Sequence, residues 1–303
     1  MKTNSKKYDV VILTEKKYVN PKVNDDYVAN LLLEDQLVAD SLVNKGLRVV
    51  RTNWDNPEFD WSSSKYLIIR STWDYSERID EFLGWMERVS QVCQLINPVE
   101  LVRWNIDKNY LRDIAKRGVP IVPTYFVSKG ETISLSSILL KKGWQHVVIK
   151  PVISCAGRET HKVLFSDLDK YEPIFAQLVK QESMMVQPFI ESIETKGEIS
   201  MMVFGGKYSH SVLKKAKPGD FRVQDDFGGT VHEYDASESE IAFAESVVKY
   251  CNPLPLYARV DAVWDNTGEL CVSELELIEP ELWFRNRPEA AEELAKLVVD
   301  GFS

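Results

Sequence analysis

The stretch Tyr257-Ala-Arg-Val-Asp-Ala-Val-Trp264, Asp265-Asn-Thr-Gly268, Glu269-Leu-Cys-Val-Ser-Glu-Leu-Glu-Leu-Ile278 decides how the chain is read. Two apolar segments flank a tight turn containing Asn and Gly, the pattern of a β-hairpin. Strand side chains alternate between faces, so Glu274 and Glu276 share one side while Leu275 and Leu277 take the other, buried one. The same alternation groups Arg259 with Asp261, and folding about the turn sets Asp261 roughly opposite Glu274. Carboxylates facing one another across strands repel. A lone Glu on a strand reads most simply as solvated surface, but three acids on strongly apolar strands point to a hard-cation site at Asp261, Glu274 and Glu276. Mg²⁺ suits such a site, because it takes oxygen ligands and only a few of them from protein.

Composition narrows the classes. With 303 residues the chain has room for two or three core-bearing lobes. A net charge of −9 argues against nucleic acid as the main partner. No apolar run approaches the length that spans a bilayer, and the basic start, Met1 to Lys7, lacks the apolar core of a signal peptide. Cys93, Cys155, Cys251 and Cys271 are dispersed, without a Cys-x-x-Cys pair. Free thiols in a cytoplasmic protein are expected, rather than disulfides or zinc. Assembly into a homo-oligomer is left open.

The N-terminal part alternates strand and helix. Residues 8–13 form a buried strand, 26–45 a helix with a mostly apolar stripe, and 47–50 and 65–69 two further strands. This is an α/β lobe, and Thr14-Glu15-Lys16-Lys17 stands where a nicotinamide-binding lobe needs Gly-x-Gly-x-x-Gly. Arg70-Ser-Thr-Trp-Asp-Tyr75 follows a strand end, where open α/β sheets place ligands. Arg70 there can clamp a substrate carboxylate, with Trp73 or Tyr75 as an apolar wall. The alternative is an Arg70–Asp74 surface pair with Trp73 packed beneath it.

From about Pro98 a second lobe begins. A helix runs through Tyr110, Leu111 and Ile114; Val119 to Val127 is an edge-like strand given its prolines. His146 to Lys150 is an apolar strand ending in Lys, followed by the small-residue loop Ile153 to Thr160, the strand Lys162 to Phe165, and the apolar stretch Met184 to Ile190. In the third lobe, Ile199 to Phe204 and Lys207 to Leu213 form a hairpin about Gly205-Gly206. Lys217 to Thr230 is polar and includes Arg222 and Gln224, a helix spans about 237–250, and a last helix starts near Pro288-Glu289. Leu282, Trp283 and Phe284 read as either core or interface.

Taken in order, Lys108 before a helix, Lys150 after an apolar strand, the small-residue loop, Gln187-Pro-Phe-Ile190, Arg222, then Arg259, Asp261 and Glu274-x-Glu276 resemble the ATP-grasp superfamily. Within it the resemblance is to the part that contains bacterial glutathione synthetase and the D-cycloserine-forming ligase, and it covers about 100 to 285. It implies an α/β three-lobed ATP-grasp architecture: an N-terminal Rossmann-like substrate lobe (1–98), a central ATP-binding lobe (99–190) and a C-terminal lobe with the Mg²⁺ site (191–303). By the resemblance, Lys108 and Lys150 hold ATP phosphates, and the Ser154 to Gly157 loop is the lid over them, with fewer glycines than the family pattern. Gln187, Phe189 and Ile190 form the linker whose backbone reads adenine. Glu198, or the competing Glu191, accepts from ribose. Arg222 and Arg259 meet the γ-phosphate and acyl-phosphate, and Asp261, Glu274 and Glu276 ligate Mg²⁺, with two ions expected.

The implied chemistry is ADP-forming ligation of a small carboxylate, an amino acid or peptide-like molecule, to an amine through an acyl-phosphate. Ring closure within one substrate, of the D-cycloserine-forming type, is the variant of this reading. Two readings from other classes are a nucleotide-binding regulatory protein without turnover and a dinucleotide oxidoreductase. The complete set of lysines, arginines and acids speaks against the first of these, and the missing glycine motif against the second.

Overall fold

Strand β1 (Tyr8–Thr14) is apolar on both faces, and its alternation builds the first layers. The structure is a computed structural model that describes residues 6–22, 25–155, 157–217, 219–223 and 228–301. Val11 and Leu13 face one way, towards Phe82, Trp85 and Met86, while Val10 and Ile12 face the other way, towards Val38 and Leu42. The strand therefore sits between α1 (Asp26–Asn44) and, further on, α2 (Ile79–Val89). It pairs in parallel with β2 (Val49–Asn53) and β3 (Ser64–Ser71), and β3 pairs with β4 (Gln94–Ile96), in the order β2-β1-β3-β4.

Helices α3 (Val99–Ile106) and α4 (Tyr110–Lys116) come next. A four-stranded antiparallel sheet follows, formed by β5 (Tyr125–Val127), β6 (His146–Pro151), β7 (His161–Leu164) and β8 (Met184–Pro188) in the order β5-β8-β6-β7. It is backed by α5 (Leu135–Lys142) and α6 (Leu168–Gln181), through Leu135, Ile138, Phe175 and Leu178. After the short α7 (Ser192–Thr195), the third sheet contains β9 (Glu198–Phe204), β10 (Lys207–Lys215), β11 (Thr230–Glu233), β12 (Tyr257–Trp264) and β13 (Leu270–Glu276). Its order is β11-β10-β9-β12-β13, antiparallel throughout. Helices α8 (Glu238–Lys249) and α9 (Glu289–Asp300) complete the chain. Among the described residues, no helix is long and apolar enough to cross a membrane.

One face of the third sheet packs Met201, Val203, Val260 and Leu275 against Leu101, Leu111 and Ile114 of α3 and α4. At its far end Met202, Phe204 and Tyr257 meet α9 and the N-terminal sheet in one core. Leu282, Trp283 and Phe284 are buried in that core, so they are core rather than interface. Polar ties fix the junction: Asn97 donates to the carbonyls of Tyr257 and Leu277, both at 2.8 Å, and accepts from Leu256 N–H at 2.7 Å.

The structure departs from the sequence reading in two places. Of the expected strand 119–127 only Tyr125–Val127 pairs, at the sheet edge, because Pro120 and Pro123 bring no N–H to a ladder. Ile121 instead bridges to Val272, with Val122 N–H donating to Val272 C=O at 3.0 Å. Helices α2, α3, α5, α6 and the short α7, together with strands β4 and β11, have no counterpart in the reading. The eight residues of α5 are too few for a clear 3.6 period, and α6 carries Pro173 inside it.

His210 on β10 gives this core a pH dependence. It is buried, with Nε2–H donating to Leu282 C=O at 2.8 Å. Burial pushes its pKa from 6.5 down to about 4, against the opposing pull of that carbonyl. Between these values the unfolded chain binds the proton and the folded one does not, so stability rises with pH over this window and is lost on acidification. The loss from this residue is on the order of 3 kcal/mol across the window. Urea midpoints at pH 7 and pH 5 should fall less on acidification in His210→Gln than in the parent; an identical fall would contradict the assignment.

Candidate active site

The polar face of the third sheet carries the site. The observed register sets Arg259 opposite Glu276 and Asp261 opposite Glu274, as the alternation predicts. On the other side of β12, Asp261 is opposite Ser200 of β9, and Glu198 of β9 is opposite Lys214 of β10. Strand after strand therefore delivers charge to one wall of a cleft of about 450 Å³.

Asp261 is almost wholly buried, and protein groups hold its oxygens. Arg259 grips it bidentately, Nε to Oδ1 at 2.9 Å and Nη2 to Oδ2 at 2.8 Å, while Lys214 lies at 3.3 Å and Ser200 donates its hydroxyl. Burial pushes the carboxyl up, but Arg259 and Lys214 outweigh it and hold the pKa at about 2. The same guanidinium pairs with Glu276, and Lys214 also pairs with Glu198 at 2.5 Å. Above these cations lies the Trp283 ring, 5.1 Å from Arg259 and 5.7 Å from Lys214. Trp283 adopts a left-handed φ of 46°, a strained conformation for a bulky residue.

The three expected metal ligands thus share a face but not a set of open oxygens. Asp261 is committed to Arg259 and Lys214, and Glu274 pairs with Lys108 at 3.0 Å. Among the described residues, no group of three or more His, Cys, Asp or Glu side chains stands ready to hold a metal ion. Glu276 is nonetheless short of positive charge. Burial, reinforced by Glu274 and Asp261, pushes its pKa up to about 8 in spite of Arg259.

Lys108 and Lys150 both line the cleft. Burial depresses the Lys108 ammonium, but Glu274 outweighs it and the pKa is raised; its Nζ also donates to Ser154 C=O at 2.7 Å. Lys150 behaves oppositely. It forms no ion pair among the described residues, and burial lowers its pKa although Glu274 and Glu198 pull the other way. Such an ammonium gains from any anion placed beside it.

Other expected residues are distributed unevenly. Ser154, with its hydroxyl donating to Arg158 C=O, and Gly157 line the cleft; Ala156 and Gln224 lie outside the described residues. Of the two acids proposed to face ribose, Glu198 lines the cleft and accepts from Ser273 at 2.7 Å, whereas Glu191 is exposed outside it. Gln187, Phe189 and Ile190 line it too, but the expected backbone readout at Phe189 is pre-empted. Its N–H donates to His146 and its C=O accepts from Asn266 at 2.9 Å. The Phe189 ring instead meets Phe221 edge-on and Lys162 at 3.5 Å. Arg222, on the loop bearing Phe221, lines the cleft and pairs with Asp220 at 2.8 Å.

Arg70 is not the open clamp expected, and it does not pair with Asp74. It is 4% exposed, donates to Pro280 C=O at 2.8 Å, and lies 3.9 and 3.8 Å from Glu34 and Asp35. Asp74 accepts from Trp54 and Arg78. Trp73 and Tyr75 do reach the cleft, joined by Tyr18 and Tyr27. Sequence reasoning missed Lys214 and Glu279. Lys214 was signalled by sharing a strand face with His210 and Val212, both buried.

The family model of the prokaryotic glutathione synthetase ATP-grasp domain matches residues 120–258, and that of the D-cycloserine synthetase N-terminal domain matches 10–97. The cycloserine biosynthesis protein DcsG of Streptomyces lavendulae is 34% identical over 256 residues, 78% of this chain and 83% of that one. The chain belongs to the ATP-grasp ligases. The crystal structure of D-cycloserine synthetase DcsG superposes with a TM-score of 0.82 at 27% identity, covering 97% of this chain and 99% of that chain. D-alanine–D-alanine ligase from Bacillus anthracis, solved with ATP, shares the fold with a TM-score of 0.65 at 14% identity, over 97% of each chain. The chain is accordingly an ATP-grasp enzyme that forms C–N bonds and releases ADP, and ligases of this family use ATP with Mg²⁺. The donor set suits that ion: Glu274 and Glu276 present carboxyl oxygens on the cleft wall, and a cation there would offset the burial and the neighbouring acids that push the Glu276 carboxyl up.

Removing Asp261 leaves Arg259 and Lys214 buried without their shared counter-charge. Asp261→Ala is expected to cost about 3–5 kcal/mol of stability, the range for breaking a buried ion pair. Urea unfolding in chelator without nucleotide measures this; a loss below about 1 kcal/mol would mean that the cluster is not structural.

Proposed function

We propose that the chain activates the carboxylate of one small, amino-acid-derived substrate and closes a ring with a nitrogen of the same molecule. The observation that carries this reading is the likeness to D-cycloserine synthetase along 97% of the chain, including the N-terminal part that brings Tyr18, Tyr27, Trp73 and Tyr75 to the cleft.

In this reading segments 1–98, 99–190 and 191–303 act as substrate, nucleotide and metal-bearing lobes. Lys108 and Lys150 receive the phosphates of ATP, where two ammonium groups offset charge. Gln187, Phe189 and Ile190 wall the adenine, and Glu198 faces ribose. A substrate carboxylate oxygen attacks the γ-phosphorus, the bond to the bridging oxygen breaks, and ADP leaves. The nitrogen then attacks the acyl carbon, phosphate departs with the C–O electron pair, and the nitrogen loses its proton to solvent. Arg222 meets the transferring phosphoryl group from the loop above. Arg259, fixed by Asp261 and Glu276, supplies a charge that does not need to reorganise. Glu274 and Glu276 would hold Mg²⁺, which supplies charge neutralisation at the phosphates when bound. One oxygen of each acid is engaged by a protein cation and the other is left to offer; two ions are proposed.

The test is ADP release from ATP and Mg²⁺ across a panel of small amino acids bearing a second nitrogen, with and without hydroxylamine. Ring closure gives a product lighter than its substrate by one water, without a second amine, and hydroxylamine diverts it to hydroxamate. ADP formation that always requires a separate amine would overturn the cyclisation. With the substrate so found, Arg222→Ala should lower kcat by roughly 10²–10³-fold while ATP affinity changes little; unchanged kcat would remove Arg222 from the mechanism.

A further inference from the structure

Among the described residues, the acids almost wholly removed from solvent are Asp9, Glu34, Asp35, Asp261 and Glu279. Four of them have cationic partners. Asp9 pairs with Arg48 and Lys65, Glu34 with Arg285 and Arg70, Asp35 with Arg51, and Asp261 with Arg259 and Lys214. Glu279 is the exception. No Lys or Arg among the described residues forms an ion pair with it. It accepts a hydrogen bond from Cys155 Sγ at 3.2 Å, and the Tyr75 hydroxyl lies beside the same carboxylate. A thiol is a weak donor, and burying a carboxylate without a cation is costly. Burial accordingly pushes the Glu279 pKa above its ordinary value, with Cys155, Tyr75 and Lys108 only partly offsetting it.

The place of this residue is as informative as its missing partner. Glu279 lies just beyond β13, on the wall shared by the main cleft and a side cavity of about 20 Å³. That space suits one water-sized group, and with the Arg70 guanidinium on its wall it suits a hydrogen-bond acceptor rather than a second cation, so an ammonium reaches Glu279 from the main cleft. Trp73 and Tyr27 line both spaces. Arg70 lines the side cavity, and its Nε–H has no acceptor within hydrogen-bond reach, the nearest carboxylate oxygen of Asp35 being 3.8 Å away. Lys108 lines the same cleft as Glu279, so an amino acid reaching between them would have its carboxylate towards the phosphate-binding lysines.

We propose that Glu279 is the subsite for a protonated primary amine of the substrate, with Tyr75 and Cys155 orienting the carboxylate. The inference rests on the ligase reading above and deepens it: the activated acid is an amino acid held by its ammonium on Glu279. The arrangement also gives the N-terminal segment a role in selectivity, since Tyr75 comes from the loop after β3.

The test is calorimetric titration with D- and L-serine and D- and L-alanine, each against its hydroxy-acid counterpart, glycerate or lactate. Mg²⁺ and a non-hydrolysable ATP analogue are present throughout. At least one amino acid is expected to bind more tightly than its hydroxy acid. Glu279→Gln should weaken that amino acid by about 10- to 100-fold, the range for a charged hydrogen bond, with nucleotide affinity unchanged. Cys155→Ser should keep the preference. Unchanged affinity in Glu279→Gln, or equal or absent binding of the amino acids in the parent, overturns the proposal. Serine and alanine bring no second nitrogen to close a ring, so ADP release is read on amino acids that do: one that binds through Glu279 but yields no ADP with ATP and Mg²⁺ contradicts the cyclisation reading and leaves the ammonium subsite standing.

Discussion

The two oxygens of Asp261, shared between Arg259 and Lys214, are the interaction on which the cleft depends. Three strands meet there: β12 brings Asp261 and Arg259, β10 brings Lys214, and β9 brings Ser200. Low dielectric strengthens these pairs and equally penalises any member left alone. Arg259 then passes the constraint to Glu276, Lys214 passes it to Glu198, and the Trp283 ring covers both cations. The opposite face of the same strands is apolar and packs on α3 and α4. A rigid sheet thus holds charge on one side because hydrophobic packing on the other keeps it in place.

This wall is unevenly neutralised, and the unevenness has chemical content. Asp261 is held low by its cations, Glu276 is driven up by burial and by neighbouring acids, and Lys150 is driven down by burial. An acid short of positive charge and a lysine short of negative charge share one cleft. Nucleotide phosphates with a divalent cation supply both deficits together, which is the demand an ATP-grasp ligase makes of its binding wall.

Much of this was legible in the sequence because strand alternation and turn chemistry are local rules. The hairpin register, with Asp261 opposite Glu274, follows from Asp265-Asn-Thr-Gly268 and the apolar partners Leu275 and Leu277. What escaped depends on residues far apart in the chain. That Asp261 is consumed by Lys214 and Ser200 requires the order β10-β9-β12, which no local pattern encodes. Arg70 read as an open clamp because strand ends often bind ligands, yet Glu34 and Asp35 on the buried side of α1 draw it into the core. The prolines of segment 119–127 correctly marked an edge, but they also shortened the strand to Tyr125–Val127.

The central claim is that the charged face of the third sheet is a platform for phosphate and metal. Anomalous difference maps from crystals grown with Mn²⁺ and a non-hydrolysable ATP analogue address it directly. The account predicts a metal peak beside Glu274 and Glu276, with the phosphates reaching Lys108 and Lys150. A metal or phosphates bound away from this face, with Lys108 still paired to Glu274 and Lys150 untouched, would contradict it.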